Sequence, residues 1–351
     1  MQRVPLVEKS VFKKIKSDDM NAEFFLANKI RQVDYLFNSV YLKSFGEKKS
    51  LIIFLFHVLF RDENESCLNA VQPAQGILLR HFRQFIEYYQ SRDYIFISPD
   101  DILKGLDDDK NYALITFDDG YYNNQYALPL LKRYKIPALF FISTDYVKQN
   151  KSFWWDALHR EKFKRGILPQ AISKEINLLG QSMTNEEIEK RIKDEFGKEA
   201  LNPAGDIDRP FTPSELRDFS KEKFVFLGNH TSKHPTLTNC SPEEIAFTIR
   251  QAQNDLYDIT GEVPDYLSYP HGAYSDEIVE IAKQTGLKLG ITVDDRKNYL
   301  PIEFENDNTL RLGRFALQEN DQIERQCLFC RRDIRLSKIV KRFVAKGKGK
   351  R

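Results

Sequence analysis

From residue 51 onward, short apolar runs alternate with helix-prone segments, and this alternation restricts the fold more than any other feature of the chain. The run LIIFLF at Leu51–Phe56 reads as a strand, as do Tyr94–Ile97, Tyr112–Phe117, Ala138–Ile142, Phe224–Gly228, Tyr266–Tyr269 and Leu289–Val293. Between them fall helical patterns at Ile77–Gln90, Asn124–Tyr134 and Ser275–Gly286, a helix start at Ser98, Pro99 and Asp101, and a capping box at Ser241 and Glu244. This order is expected of an α/β fold in which helices cover a parallel sheet or barrel.

Three regions stand outside the rhythm. Residues 151 to about 222 form a charged, helix-prone insertion that carries Trp154 and Trp155, then Pro203, Gly205, Pro210 and a capping box at Thr212–Glu215. Residues 1–50 form an amphipathic, helix-prone arm with Phe24, Phe25, Ile30, Val33 and Leu36 at its apolar positions. Residues 336–351 form a tail with seven Lys or Arg and no acid. A catalytic domain over 51–335 is the remainder, and 351 residues with 41 % hydrophobic content suffice for one large core.

The 53 basic and 51 acidic residues nearly cancel, so the excess of positive charge is local to the tail. Such a tail is a solvated end or a peripheral contact for an anionic membrane surface; no nucleic-acid partner is expected. The longest apolar run, Leu51–Phe60, contains His57 and is about half the roughly 20 residues that a membrane span requires. Charged residues interrupt Met1–Met20, which argues against an ordinary signal peptide. Four scattered cysteines, Cys67, Cys240, Cys327 and Cys330, fit a reducing cytoplasm rather than a disulfide scaffold. The spacing of Cys327 and Cys330 suits a metal or redox pair, but no second pair completes a zinc ribbon.

The reactive candidates come directly after apolar runs: His57 after LIIFLF, Asp118 and Asp119 after YALITF, His230 after FVFLGN, and Pro270 with His271 after YLSY. In α/β barrels, groups at the C-terminal ends of parallel strands converge on one face. A sharp turn at Gly120 would let two adjacent aspartates approach one cavity, whereas a lone Asp after a strand is more often a helix cap. His230 and His234 lie four apart in HTSKH, a spacing that puts both imidazoles on one side of a helical turn, able to grip one metal. Two histidines and one carboxylate leave coordination positions open for water and substrate.

The chain resembles the polysaccharide deacetylases that share the NodB homology domain, carbohydrate esterase family 4. The resemblance rests on ITFDDG at Ile115–Gly120, NHTSKH at Asn229–His234 and SYPHGAYSD at Ser268–Asp276, in family order, and spans roughly residues 50 to 315. It implies a distorted (β/α) barrel, with Asp118 as general base, Asp119, His230 and His234 as metal ligands, and the His271 backbone N–H as an oxyanion donor. The family's catalytic histidine usually lies near the C-terminal end of the domain, and none follows His271 here. His57 at the end of the first strand is similar to the arrangement in circularly permuted deacetylases of biofilm polysaccharides, which makes it the candidate general acid. First and last strands of a barrel are neighbours, so the strand keeps its place in space. Ser268 stands where many relatives carry an arginine that pairs with the catalytic aspartate; Arg311 or Arg314 could replace it.

The implied activity is hydrolysis of N-acetyl groups on a sugar or polysaccharide of cell-envelope glycan biosynthesis, releasing acetate, with a divalent metal of which zinc fits the ligand set. Tyr121, Tyr122, Trp154, Trp155 and Tyr274 either stack on sugar rings or pack the loops. The rival readings are an O-acetyl esterase or non-sugar amidohydrolase on the same site, a catalytically silent glycan-binding module, and an acid-pair phosphatase, which would need no histidine pair.

Overall fold

A computed structural model of the chain describes residues 32, 33, 35–73, 76–304, 307–319 and 322–334. Most of the N-terminal arm and all of the basic tail lie outside the described residues. The chain divides into two compact units, Met1–Lys48 with Arg331–Arg351, and Lys49–Cys330. In the first, residues 35–45 are helical, and Arg331 pairs with Glu47 at 2.7 Å. No helix among the described residues is long and apolar enough to cross a membrane.

Among the described residues, the second unit is built on eleven strands. They are β1 Ser50–Phe56, β2 Val58–Phe60, β3 Gly76–Leu78, β4 Tyr94–Phe96, β5 Asn111–Phe117, β6 Ala138–Ile142, β7 Val225–Asn229, β8 Tyr266–Ser268, β9 Leu289–Ile291, β10 Asn298–Tyr299 and β11 Phe315–Ala316. Nine of them form one curled sheet in the order β10-β1-β5-β6-β7-β8-β9, with β11 also on β1 and β4 also on β5, while β2 and β3 pair separately. Every pairing in the large sheet is parallel except β1 with β10.

Alternate residues of each strand enter different cores, as a pleated backbone requires. Ile52, Phe54 and Phe56 of β1, with Phe117 of β5 and Phe140 of β6, pack outward under helix Leu79–Gln90, where Phe82, Phe85 and Tyr89 meet them. Leu51, Ile53, Leu114, Leu139, Phe141 and Leu289 face inward. Strands buried on both faces are apolar throughout, which is why LIIFLF and ALFFI carry no polar residue.

The two edges of the curled sheet meet on one short segment. Leu312 bridges to Ile291 of β9, with Thr292 N–H donating to its carbonyl at 2.8 Å, and three residues later Phe315 pairs with Phe54 of β1. Gly290 makes this approach possible: a Cβ there would lie 2.4 Å from the Leu310 carbonyl oxygen. The segment therefore closes the barrel that the sequence predicts.

Some boundaries differ from the sequence reading. The pattern at Ile77–Gln90 begins as β3 and turns helical only at Leu79, because Gly76–Leu78 pairs with Val58–Phe60. The pattern at Asn124–Tyr134 is a 3-10 turn over Tyr122–Ala127 followed by an α-helix over Leu128–Tyr134. Residues 151–222 are helical as expected, with helices Trp154–Lys164, Pro169–Ser182, Asn185–Phe196 and Pro213–Ser220. The first three share an apolar cluster with Val58, Phe60, Tyr121 and Tyr146.

Candidate active site

Strand register sets the site. Phe56 of β1 lies opposite Phe117 of β5, so His57 and Asp118 occupy neighbouring positions one residue past the strand ends, and Asp118 N–H donates to Phe56 O at 2.9 Å. Ile142 of β6 lies opposite Asn229 of β7, and His230 N–H donates to Ile142 O at 3.1 Å. The chain turns at Asp119 (φ 74°) and Gly120 (φ 88°), and this turn brings both carboxylates into one cavity. A side chain at Gly120 would be strained by that φ and would press within 3.2 Å of Ile142. Both aspartates are buried.

Asp118 is held by Arg314. The guanidinium donates to both carboxylate oxygens, at 2.8 and 2.5 Å, and further to Thr116 Oγ1 (3.1 Å), Ser268 Oγ (2.8 Å) and Thr292 O (3.0 Å). Ser268 Oγ also donates to Asp118 at 3.2 Å, so the serine joins the network that an arginine at its position would replace. Burial pushes the Asp118 carboxyl up, but Arg314, then His230, outweigh it and hold the pKa at about 2. Of the two arginines considered from sequence, Arg311 instead pairs with Asp276 at 2.6 Å.

His230 and His234 do not lie on a helical turn. Their loop is irregular, with Thr231 (φ 61°) and His234 (φ 56°) in the left-handed region, which corrects the reading from their spacing. Short polar side chains stabilise this shape: Asn229 Oδ1 accepts from Thr231 N–H at 2.7 Å, and Thr231 Oγ1 accepts from His234 N–H at 3.0 Å. The rings still meet, with centroids 4.7 Å apart.

His230 Nδ1 lies 2.8 Å from the Ser268 carbonyl, an acceptor that fixes the proton on Nδ1 and leaves Nε2 with a free lone pair. Nε2 of His230 and Nε2 of His234 each approach Asp119 Oδ1 to 3.4 Å, and one ligand atom from each of the three residues lies within 4.8 Å of the others. Buried Asp119 Oδ1 has no hydrogen-bond partner among the described residues. An orphaned carboxylate oxygen facing two imidazole nitrogens is the donor set of a divalent metal site, so the residues fit such an ion.

His57 and His271 line the same cavity, of about 470 Å³, with Asp118, Asp119, His230 and His234. That volume is within the range of about 300–1,000 Å³ common for small-molecule sites. Burial lowers the pKa of His57 against the opposing pull of Asp119 and Asp118. His271 (φ 57°) sits exposed at the mouth, its ring 4.6 Å from that of His234. Of nine non-glycine residues with positive φ among the described residues, four, Asp119, Thr231, His234 and His271, lie in or beside this cavity.

From the insertion, sequence reasoning singled out only Trp154 and Trp155, yet Ile176, Asn177, Gly180 and Gln181 line this cavity beside them. Trp155 packs 4.9 Å from the His234 ring, and its Nε1 donates to Tyr121 Oη at 3.0 Å. Tyr121 O–H in turn lies 2.5 Å from Asp156, whose other oxygen accepts from Gln72 N–H at 2.9 Å. Tyr121, Trp154 and Trp155 are therefore buried supports of the site, while Tyr122 lies under Arg209 and Tyr274 donates to Asp294. The adjacent tryptophans were the visible signal. Cys327 and Cys330 are buried in the outer core and away from the cavity.

The polysaccharide deacetylase family profile matches residues 105–290, more than half of the chain. A chitooligosaccharide deacetylase of Azorhizobium caulinodans is 35 % identical over 72 residues, which cover 20 % of this chain and 34 % of that protein. The fold resembles that of the Streptococcus pyogenes deacetylase PplD in complex with acetate (TM-score 0.54, 18 % identity, 80 % of this chain and 97 % of that one). It also resembles IcaB from Ammonifex degensii (TM-score 0.54, 16 % identity, 82 % and 99 % coverage).

Proposed function

The chain belongs to the polysaccharide deacetylase family, and from that premise we propose that it hydrolyses N-acetyl groups on a sugar or polysaccharide, releasing acetate and a free amine, with a bound divalent metal. The observation that carries this reading is an ionised, arginine-clamped Asp118 beside the Asp119–His230–His234 cluster. The acetate held by the S. pyogenes deacetylase corresponds to the product expected here.

Asp119, His230 and His234 would hold the ion, and their carboxylate and imidazole donors suit zinc while admitting other divalent ions. The ion supplies Lewis acidity, polarising the acetamide carbonyl and acidifying water. Asp118 takes the proton from the attacking water. The His271 N–H donates to the developing oxyanion, and His57 gives a proton to the departing amine. Because burial lowers its pKa, the His57 imidazolium is the stronger proton donor, and the two carboxylates opposite it favour its formation.

The test is acetate release from N-acetylglucosamine oligomers by metal-loaded and chelated protein, beside Asp118→Asn and His57→Ala, with an O-acetylated sugar as a parallel substrate. Each substitution should lower kcat by roughly 10²–10⁴-fold. Full activity in Asp118→Asn would refute the reading, full activity in His57→Ala would remove only its acid role, and a preference for the O-acetyl substrate would make the protein an esterase.

A further inference from the structure

Helix Pro169–Ser182 of the insertion forms one side of the cavity through Ile176, Asn177, Gly180 and Gln181. Asn177 and Gln181 are four apart and so share a face. Gln72, the third amide in the lining, is spent on Ser173 Oγ at 3.1 Å, but the side-chain amides of Asn177 and Gln181 have no hydrogen-bond partner among the described residues. Between them Gly180 carries no side chain, and a Cβ there would already sit 3.6 Å from the Trp154 ring, so the helix backbone packs close to the indole.

The helix is also fastened to the loop that bears the two histidines. Thr236 Oγ1 donates to Gly180 O at 2.8 Å and Asn239 Nδ2 donates to Gln181 O at 3.1 Å, while Asn185 Nδ2, at the start of the next helix, donates to His234 O at 3.2 Å. The helix backbone that carries the two amides is thereby tied to the segment that follows His234.

Charge narrows what they can bind. Among the described lining residues there is no lysine and one arginine, Arg314, whose two terminal nitrogens are engaged by Asp118. A phosphate or a uronate carboxylate seated on the insertion side would find no lysine and no free arginine among the described lining residues to pair with it. A neutral sugar ring has no such cost. Its hydroxyls both donate and accept, which is what a primary amide offers in return.

We propose that this helix is the sugar-recognition wall of the site, with Asn177 and Gln181 hydrogen-bonding the hydroxyls of an uncharged sugar unit while its acetamide faces Asp118. The last clause rests on the deacetylase reading; the recognition of a neutral glycan does not. The acceptor is then a neutral glycan chain rather than a nucleotide sugar.

Calorimetric titration of the neutral N-acetylglucosamine tetramer into Asp118→Asn protein measures binding without turnover. Adding Asn177→Ala and Gln181→Ala should weaken that binding about tenfold, the loss expected of two neutral hydrogen bonds. In the otherwise unaltered enzyme the same pair should raise KM by a similar factor and change kcat by less than about twofold, a split that a merely structural role would not produce. Unchanged affinity in the double variant would overturn the proposal, as would tighter binding of uridine diphosphate N-acetylglucosamine than of the tetramer. If metal-loaded protein releases no acetate while tetramer binding stays sensitive to Asn177 and Gln181, the deacetylase reading falls and the recognition wall stands.

Discussion

Each of the five N–H donors of Arg314 meets an acceptor: two on Asp118, and one each on Thr116, Ser268 and Thr292. A lysine could not reproduce that fork. Arg314→Ala should cost about 3–5 kcal/mol in urea unfolding, because it strands a buried carboxylate, and adding Asp118→Asn should recover much of the loss. Since Arg314 depresses the Asp118 pKa, the stability it confers is present above the ordinary carboxylate range near 4 and lost as pH falls through about 2. In Arg314→Ala that loss should begin at higher pH, with the acid limb of the rate profile displaced the same way. Asp156 behaves oppositely. Burial pushes its carboxyl up to about 8, so the stability of its protonated form is full below about pH 4 and is lost as pH rises through about 8. Asp156→Asn should therefore flatten the decline of Tm between about pH 4 and pH 8; an unaltered slope would mean the group does not titrate there.

At the scale of elements, helix Pro242–Thr260 does more than cover the sheet. Its Thr248 hydroxyl lies 2.9 Å from Ser232 Oγ, and its Ile249 carbonyl accepts from Asn229 Nδ2 at 2.9 Å, so the helix braces the start and the middle of the histidine loop. Thr248→Val should cost about 1–3 kcal/mol by leaving the buried Ser232 hydroxyl unpaired, and should weaken metal uptake in equilibrium dialysis roughly tenfold. Undiminished metal affinity would show that the loop keeps its shape unaided. The strands that carry the chemistry were legible because each is a local run of apolar residues, and the Asp-Asp-Gly turn and the histidine pair because their residues are adjacent or nearly so. β10 and β11 are two residues long and exist only through their pairing with β1, which no local pattern announces. The spacing of His230 and His234 suggested a helical turn, but backbone N–H groups donating to the Asn229 and Thr231 side chains favour an irregular loop over the helix. Arg311 and Arg314 were equivalent as letters; the pleat of the closing segment turns one of them inward. The insertion's place in the cavity wall depends on contacts with residues far away in sequence, such as Gly180 with Thr236.

At the scale of the whole molecule, the three candidate metal ligands follow the ends of β5 and β7, which flank β6, so an ion bound there would join distant parts of the sheet. Stripping the protein with a chelator should lower its Tm, by the equivalent of about 3 kcal/mol where the free ion had stood near 100 times its Kd, and zinc should restore both Tm and acetate release. Loss of activity without any change in Tm would place the ion's binding elsewhere. The closing segment, for its part, has a consequence in time. Asp118 and Arg314 are 196 residues apart. At translation rates of about 5–20 residues per second, roughly 10–40 s pass between the synthesis of the acid and that of its partner. Through that interval the nascent barrel holds an aspartate it cannot bury and two sheet edges it cannot join. It should wait as an open sheet, with its hydrophobic interior within reach of a chaperone, until the chain supplies the arginine that locks it.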